Sequence, residues 1–108
     1  MSSVFIGGGK LRGKGVYAAR DFKKGEVVVP YTLRLLTKDE YDNLPEDEKM
    51  FTHFYRSQIF LYQVPERFVN HSNNPNTYQD HTIKADVALC DIKQGEMITT
   101  DARKDDVE

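Results

Sequence analysis

Residues Arg67 to Thr77 read RFVNHSNNPNT. Arg67, Phe68 and Val69 lead into a run of short polar side chains around His71, with Pro75 near its end. Asn and Ser side chains replace backbone hydrogen-bond partners with their own oxygens and amides, so they hold irregular loops in shape. Pro75 locks one bend and pushes Asn74 out of the α region. Such a segment makes a rigid, irregular wall of the kind a binding site needs. His71 has three readings: a base, a metal ligand or a structural loop residue. His53, His71 and His81 show no ligand spacing and Cys90 is alone, which argues against a metal. No serine or cysteine stands in a recognisable nucleophile arrangement with it.

The chain around this loop has 108 residues, so a single domain is expected. With 39% hydrophobic and 30% charged residues it reads as soluble and globular. Fifteen basic and seventeen acidic side chains leave a net charge of −2. Direct nucleic-acid binding through a broad basic surface is therefore not expected. The single Cys90 cannot form an internal disulfide and suits a reducing compartment. No apolar run approaches membrane-spanning length, and MSSVFIGGGK lacks a signal peptide's apolar stretch. The expected location is cytoplasmic, or nuclear in a eukaryotic or viral setting.

Upstream, GGGKLRGKG (Gly7–Gly15) holds five of the seven glycines and predicts a flexible or tightly bent loop. Val16–Ala19 and Val27–Val29 predict short strands around a turn at Gly25. Thr37 and Glu40 have capping-box spacing, which predicts a short helix. Pro45 fits the first turn of a second helix, with Glu46, Asp47 and Glu48 at its positive end, extending toward MFTHFYR. QIFLYQV (Gln58–Val64) is a buried strand or a helix end. TIKADVALCDIKQGEMITT predicts two further strands around a turn, before a charged tail at 103–108.

Two stretches repeat. AARDFKKGEVV (Ala18–Val28) and ALCDIKQGEMI (Ala88–Ile98) align without gaps, sharing Ala, Asp, Lys, Gly and Glu. They predict two related hairpins in one mainly β domain with a helical insert. A shared liking of D-x-K-x-G-E for turns is the competing explanation.

These pieces together resemble a known family. RFVNHSNNPNT looks like the N-H-S-x-x-P-N signature of SET domains, the S-adenosylmethionine-dependent protein-lysine methyltransferases. GKGVYAARDFKKGEVV is similar to the family's opening motif, and ALCDIKQGEMITTD to its closing one. The resemblance runs from Gly13 to Asp101 in the family's order. It implies a β-clip of several small curved sheets, with a domain core at about 13–102. It also implies a pseudoknot in which the C-terminal segment threads beneath the signature loop. The cofactor would be S-adenosyl-L-methionine. The resemblance implies that Lys14, Gly15 and Tyr17 meet its amino-acid end through their backbone. The Asn70 side chain would bond the methionine ammonium or carboxylate region, the His71 backbone the adenine edge, and Arg67 would brace the carboxylate. No metal is implied.

The closing motif departs from the family at one position. It ends Asp101-Ala102 where the pattern has Asp-Tyr, and no Phe, Tyr or Trp follows Tyr78. Either another tyrosine supplies the hydroxyl from that end, or the site is weak, incomplete or non-catalytic; Tyr31, Tyr62 and Tyr78 are the candidates, with Tyr62 the first choice. The leading expectation is a protein-lysine methyltransferase acting on a protein or peptide. A non-catalytic module binding S-adenosylmethionine or a peptide is the alternative, and a SAF-type β-clip a weaker third. The resemblance is to a minimal SET domain without cysteine-rich flanks, whose cofactor side a second copy in a homodimer could close. The acidic run Lys38–Glu48 is either a solvated helix face or a surface for a basic tail.

Overall fold

The structure, a computed structural model, describes residues 3–101. The expectations for Ala102 and for the 103–108 tail lie outside the described residues. Three small sheets carry the fold. The first has the order β1-β2-β10-β7, built from β1 (Val4–Leu11), β2 (Lys14–Ala18), β10 (Met97–Thr100) and β7 (Asn70–His71). The second joins β3 (Val27–Pro30), β9 (Ala85–Ala88) and β8 (Thr77–Asp80) in that order. The third has β6 (Gln58–Leu61) between β4 (Arg34–Leu36) and β5 (Thr52–Tyr55). Two short helices, α1 (Lys38–Asp42) and α2 (Glu46–Lys49), form the insert. The mainly β fold class with a short helical insert is as the sequence predicts.

The glycine-rich stretch is not the expected loop. It is most of strand β1, antiparallel to β2 from Val4↔Ala18 to Gly8↔Lys14, with a bulge after Gly8. The bend is confined to Arg12 and Gly13, both at positive φ. The glycines serve close approach. A Cβ on Gly7 would lie 2.6 Å from the Tyr17 ring, and one on Gly9 would lie 2.4 Å from the Lys14 carbonyl oxygen.

α1 begins as predicted: the Thr37 hydroxyl accepts from the Glu40 N–H, and the Glu40 carboxylate accepts from the Thr37 N–H at 3.0 Å. The second helix is shorter than expected. It stops at Lys49, and MFTHFYR passes into strand β5 instead. The reason is tertiary: His53 is buried, packed against the Phe60 ring at 5.4 Å and the Tyr62 ring at 4.6 Å. Arg56 and Ser57, both at positive φ, turn the chain between β5 and β6. Gln58–Leu61 is thus a strand, resolving the ambiguity in the sequence.

The repeat is real but its units are not hairpins. β2 does not pair with β3, nor β9 with β10; instead β2 pairs with β10 and β3 with β9. Each copy completes the other. Phe22 and Ile92 exchange backbone hydrogen bonds at 2.7 and 2.9 Å. The Asp21 carboxylate accepts from the Gln94 N–H at 2.8 Å, and Asp91 accepts from the Lys24 N–H at 2.9 Å. Gly25 and Gly95 both sit at φ 91°. This local two-fold arrangement places Phe22 and Ile92, each 1% exposed, in the core beside Val16, Val28, Val29 and Ile98.

Candidate functional site

The signature strand β7 runs parallel to β10, with Asn70 opposite Thr99 and His71 opposite Thr100. The loop after it wraps the same strand. The Ser72 N–H donates to the Thr100 carbonyl at 2.9 Å, and the Asn76 amide donates to the Met97 carbonyl at 2.9 Å. The Thr99 N–H donates to Asn76 Oδ1 at 2.8 Å, and the Thr77 hydroxyl to the Thr99 carbonyl at 2.7 Å. The polar side chains of NHSNNPNT therefore replace a sheet partner for the C-terminal strand. They tie that strand to the loop along its length.

Asn70 is 3% exposed and ties three segments together. Its Oδ1 accepts from the Lys10 N–H at 2.8 Å; its Nδ2 donates to the Lys14 and Phe68 carbonyls at 3.0 and 2.9 Å. Gly15 lies against it: a Cβ there would be 3.3 Å from Asn70 Nδ2 and 3.1 Å from the Gly8 carbonyl oxygen. The Tyr17 hydroxyl donates to the Gly8 carbonyl at 2.6 Å, and its ring stacks on Phe5. Lys14, Gly15 and Asn70 are thus in contact, with Tyr17 two residues along the same strand.

His71 points its imidazole outward, Nε2 at 3.1 Å from Asn73 Oδ1 and Nδ1 at 3.7 Å from the Asp101 carboxylate. Because Ser72 donates to β10, strand alternation turns the N–H and C=O of His71 to the opposite, outer edge of β7. No strand covers that edge among the described residues. Arg67 is differently engaged. Its guanidinium makes two bonds to the Glu48 carboxylate, at 3.1 and 3.2 Å, and Nε donates to the Tyr62 carbonyl at 3.0 Å. It packs over the Phe51 ring and braces α2 against the 3-10 turn Glu66–Phe68.

Behind β7 lies a cavity of about 130 Å³ lined by Tyr31, Tyr62, Glu66, Gln79, Asp86 and Thr100, among others. Tyr62 is buried, stacked on His53 at 4.6 Å and edge-on to Tyr31 at 5.5 Å. The Tyr31 hydroxyl donates to the Asp86 carboxylate. Glu66 is spent on structure, accepting from the backbone of Thr32 at 2.7 Å and of Gln63 at 3.1 Å. Tyr78, the third tyrosine considered, is exposed on the wall of a separate cleft with Pro75 and Leu89. Asp86, Gln79 and Thr100 escaped the sequence reading. Asp86 left a signal: it is the one charged residue in the otherwise apolar strand ADVA.

The acidic run is largely paired within the chain. Lys38 bonds Asp42, Lys49 meets Glu46, Arg12 meets Asp47 and Arg34 meets Glu40. These are exposed pairs of small energetic weight, and they leave a mixed-charge helix face rather than a negative one.

The fold and this loop define a SET domain. The SET-domain family profile matches residues 13–101, and the chain belongs to that family. It is 32% identical over 112 aligned positions to the Candida glabrata histone-lysine N-methyltransferase specific for H3 lysine-36, covering 89% of this chain and 16% of that protein. This chain therefore spans only a small part of that relative's length. The crystal structure of a proposed histone methyltransferase of Plasmodium falciparum superposes with a TM-score of 0.74 at 20% identity, covering 94% of this chain and 93% of that one. The Chaetomium thermophilum Polycomb Repressive Complex 2 in an autoinhibited conformation, bound to S-adenosylmethionine, gives a TM-score of 0.75 at 24% identity. That match covers 96% of this chain and 15% of the other.

Proposed function

We propose that this SET domain is a protein-lysine N-methyltransferase that takes its methyl group from S-adenosylmethionine. The observation that carries the reading is the tyrosine-lined cavity beside the signature strand, with Tyr31 and Tyr62 on its wall. The His71 N–H and C=O lie on the edge of β7 away from β10, a donor and an acceptor side by side, a pattern that would suit the edge of an adenine ring. Lys14, Gly15 and Tyr17 would frame the amino-acid end. Asn70 would act there by holding the Lys14 carbonyl, since its side chain already bonds within the protein. Arg67, bonded to Glu48, would shape this side of the site rather than reach the cofactor.

When bound, S-adenosylmethionine supplies an electrophilic methyl group. The protein's part is alignment, which can account for a large share of the rate of such a displacement. A free lysine amine has a pKa of about 10.4, and leaving water for a small cavity favours its neutral form. Tyr62 and Tyr31 would orient the amine. The relative specific for H3 lysine-36 makes a histone tail the first substrate to try.

The second reading, binding without transfer, rests on Ala102 standing where the closing motif has tyrosine. One experiment separates the two: calorimetric titration with S-adenosylmethionine, paired with labelled methyl transfer to histone H3 peptides. Binding with transfer that Tyr62→Phe abolishes supports the enzyme. Binding without transfer, restored by Ala102→Tyr, supports the second reading. Failure to bind S-adenosylmethionine overturns the enzyme reading and confines the second to peptide binding.

A further inference from the structure

The insert helix α2 ends on the cavity behind β7. Met50, its C-terminal cap, lines that cavity with Leu11, Arg67 and His71, yet is 54% exposed. Tyr62, Asp86 and Thr100 on the same cavity are buried. Met50 therefore stands at the mouth and those three at the inner end. The backbone of Met50 is still helical, at φ −64° and ψ −17°. Asp47 and Met50 thus share one face of α2, and Glu48 and Phe51 share the next.

Both faces are tied down. Asp47 meets the guanidinium of Arg12, the residue after Leu11, at 3.1 Å. Glu48 accepts two bonds from Arg67, and the Phe51 ring stands edge-on to Phe68 at 5.7 Å. The Glu48 pair is the more sheltered of the two. One short helix therefore bridges the end of β1 and the 3-10 turn that leads into β7. These ties fix where Met50 stands but do not bury it. A thioether packs favourably against an aromatic ring. A flat base bonded by its edge to the His71 backbone would present its faces to apolar neighbours, and Leu11 and Met50 share that wall with His71.

We propose that α2 is the cofactor-side wall of this domain. Met50 and Leu11 form the apolar surface on which the adenine ring of S-adenosylmethionine rests, and Glu48 positions that surface through Arg67. This rests on the S-adenosylmethionine reading of the site. It adds that the wall is built within one chain rather than by a second copy.

The test uses the chain with carbon-13 in its methionine methyl groups. Met1, Met50 and Met97 give three signals, and Met50→Leu assigns the one from Met50. S-adenosylmethionine should move that signal upfield, the mark of a ring lying over it, and equally at low and high protein concentration. 5′-Methylthioadenosine, which keeps the base and lacks the amino acid, should do the same; free methionine should not. By calorimetry, Met50→Ala should weaken both nucleosides about threefold to tenfold, the worth of a thioether–aromatic contact. Glu48→Gln should weaken them too and shrink the upfield shift, because the methionine is no longer held over the ring. Should a variant fail to fold, the wild-type methyl shift still decides. S-adenosylmethionine binding with an unmoved Met50 signal, or with unchanged affinity in Met50→Ala, overturns the proposal and leaves the methyltransferase reading standing. The expected shifts without methyl transfer keep the proposal and sink the enzyme reading. Failure to bind either nucleoside overturns the proposal together with that reading.

Discussion

Gly8 and Gly9 are adjacent in sequence and opposite in consequence. No atom lies within 4 Å of where a Cβ on Gly8 would stand, whereas one on Gly9 would strike the Lys14 backbone at 2.4 Å. Gly8→Ala should leave stability within about 0.5 kcal/mol of wild type. Gly9→Ala should cost about 1–3 kcal/mol, because the obstacle is backbone and cannot rotate away. Urea denaturation of the two variants checks this, and equal midpoints would contradict it. At the same scale, Asn70 has a structural duty beside the cofactor role that the resemblance implies. The sequence marks it as a site residue by resemblance; the structure shows its amide joining Lys10, Lys14 and Phe68.

The repeated turns make a prediction about elements. Gly25 and Gly95 occupy equivalent places in the two copies, both at φ 91°, a conformation that L side chains adopt only with strain. Gly25→Ala and Gly95→Ala should each destabilise by about 1–3 kcal/mol and by similar amounts. Thermal melts of both variants test the equivalence, and a loss confined to one copy would break it. The cap of α1 supplies a pH prediction. The Thr37 N–H donating to its carboxylate, helped by Arg34, holds the Glu40 carboxyl below its ordinary value. A depressed carboxyl pKa means that the stabilisation is complete above the unfolded-state value and is lost as pH falls through the folded-state value. Amide exchange in the first turn of α1 should therefore quicken on acidification through that window. A Glu40 titration matching that of an unstructured peptide would refute this.

At the scale of the molecule, β10 is the keystone. It lies between β2 and β7, carries the fully buried Ile98, and is bonded along its length by the signature loop. Ending the chain at Glu96 should abolish cooperative thermal unfolding, and a truncated chain with a sharp transition would show the reasoning wrong. Tyr17 pairs with Met97 across most of the chain, so loop closure comes before this pairing can stabilise anything. Slow folding is expected for such a topology, and stopped-flow refolding would measure it.

What could be read without the structure was local or carried by motif. The capping box of Thr37 and Glu40, the turn at Gly25 and the repeat itself depend on neighbouring residues, and the sequence states them directly. The NHSNNPN string named the family because its polar side chains have so specialised a task. What stayed hidden depended on partners far along the chain. Gly7–Gly9 form a strand because Tyr17 and Lys14 need their space. MFTHFYR is a strand because His53 packs against Phe60 and Tyr62. The repeats exchange strands rather than close as hairpins, with β2 paired to β10 and β3 to β9. Asp86 is joined on the cavity wall by Tyr31, which is distant in sequence and bonded to it. The sequence by itself determined the family, the turns and the helix cap, because these follow from short-range backbone preference and hydrogen bonding. Tertiary structure alone decided strand pairing and the polarity of the cavity, because both arise from contacts between segments that no local pattern relates.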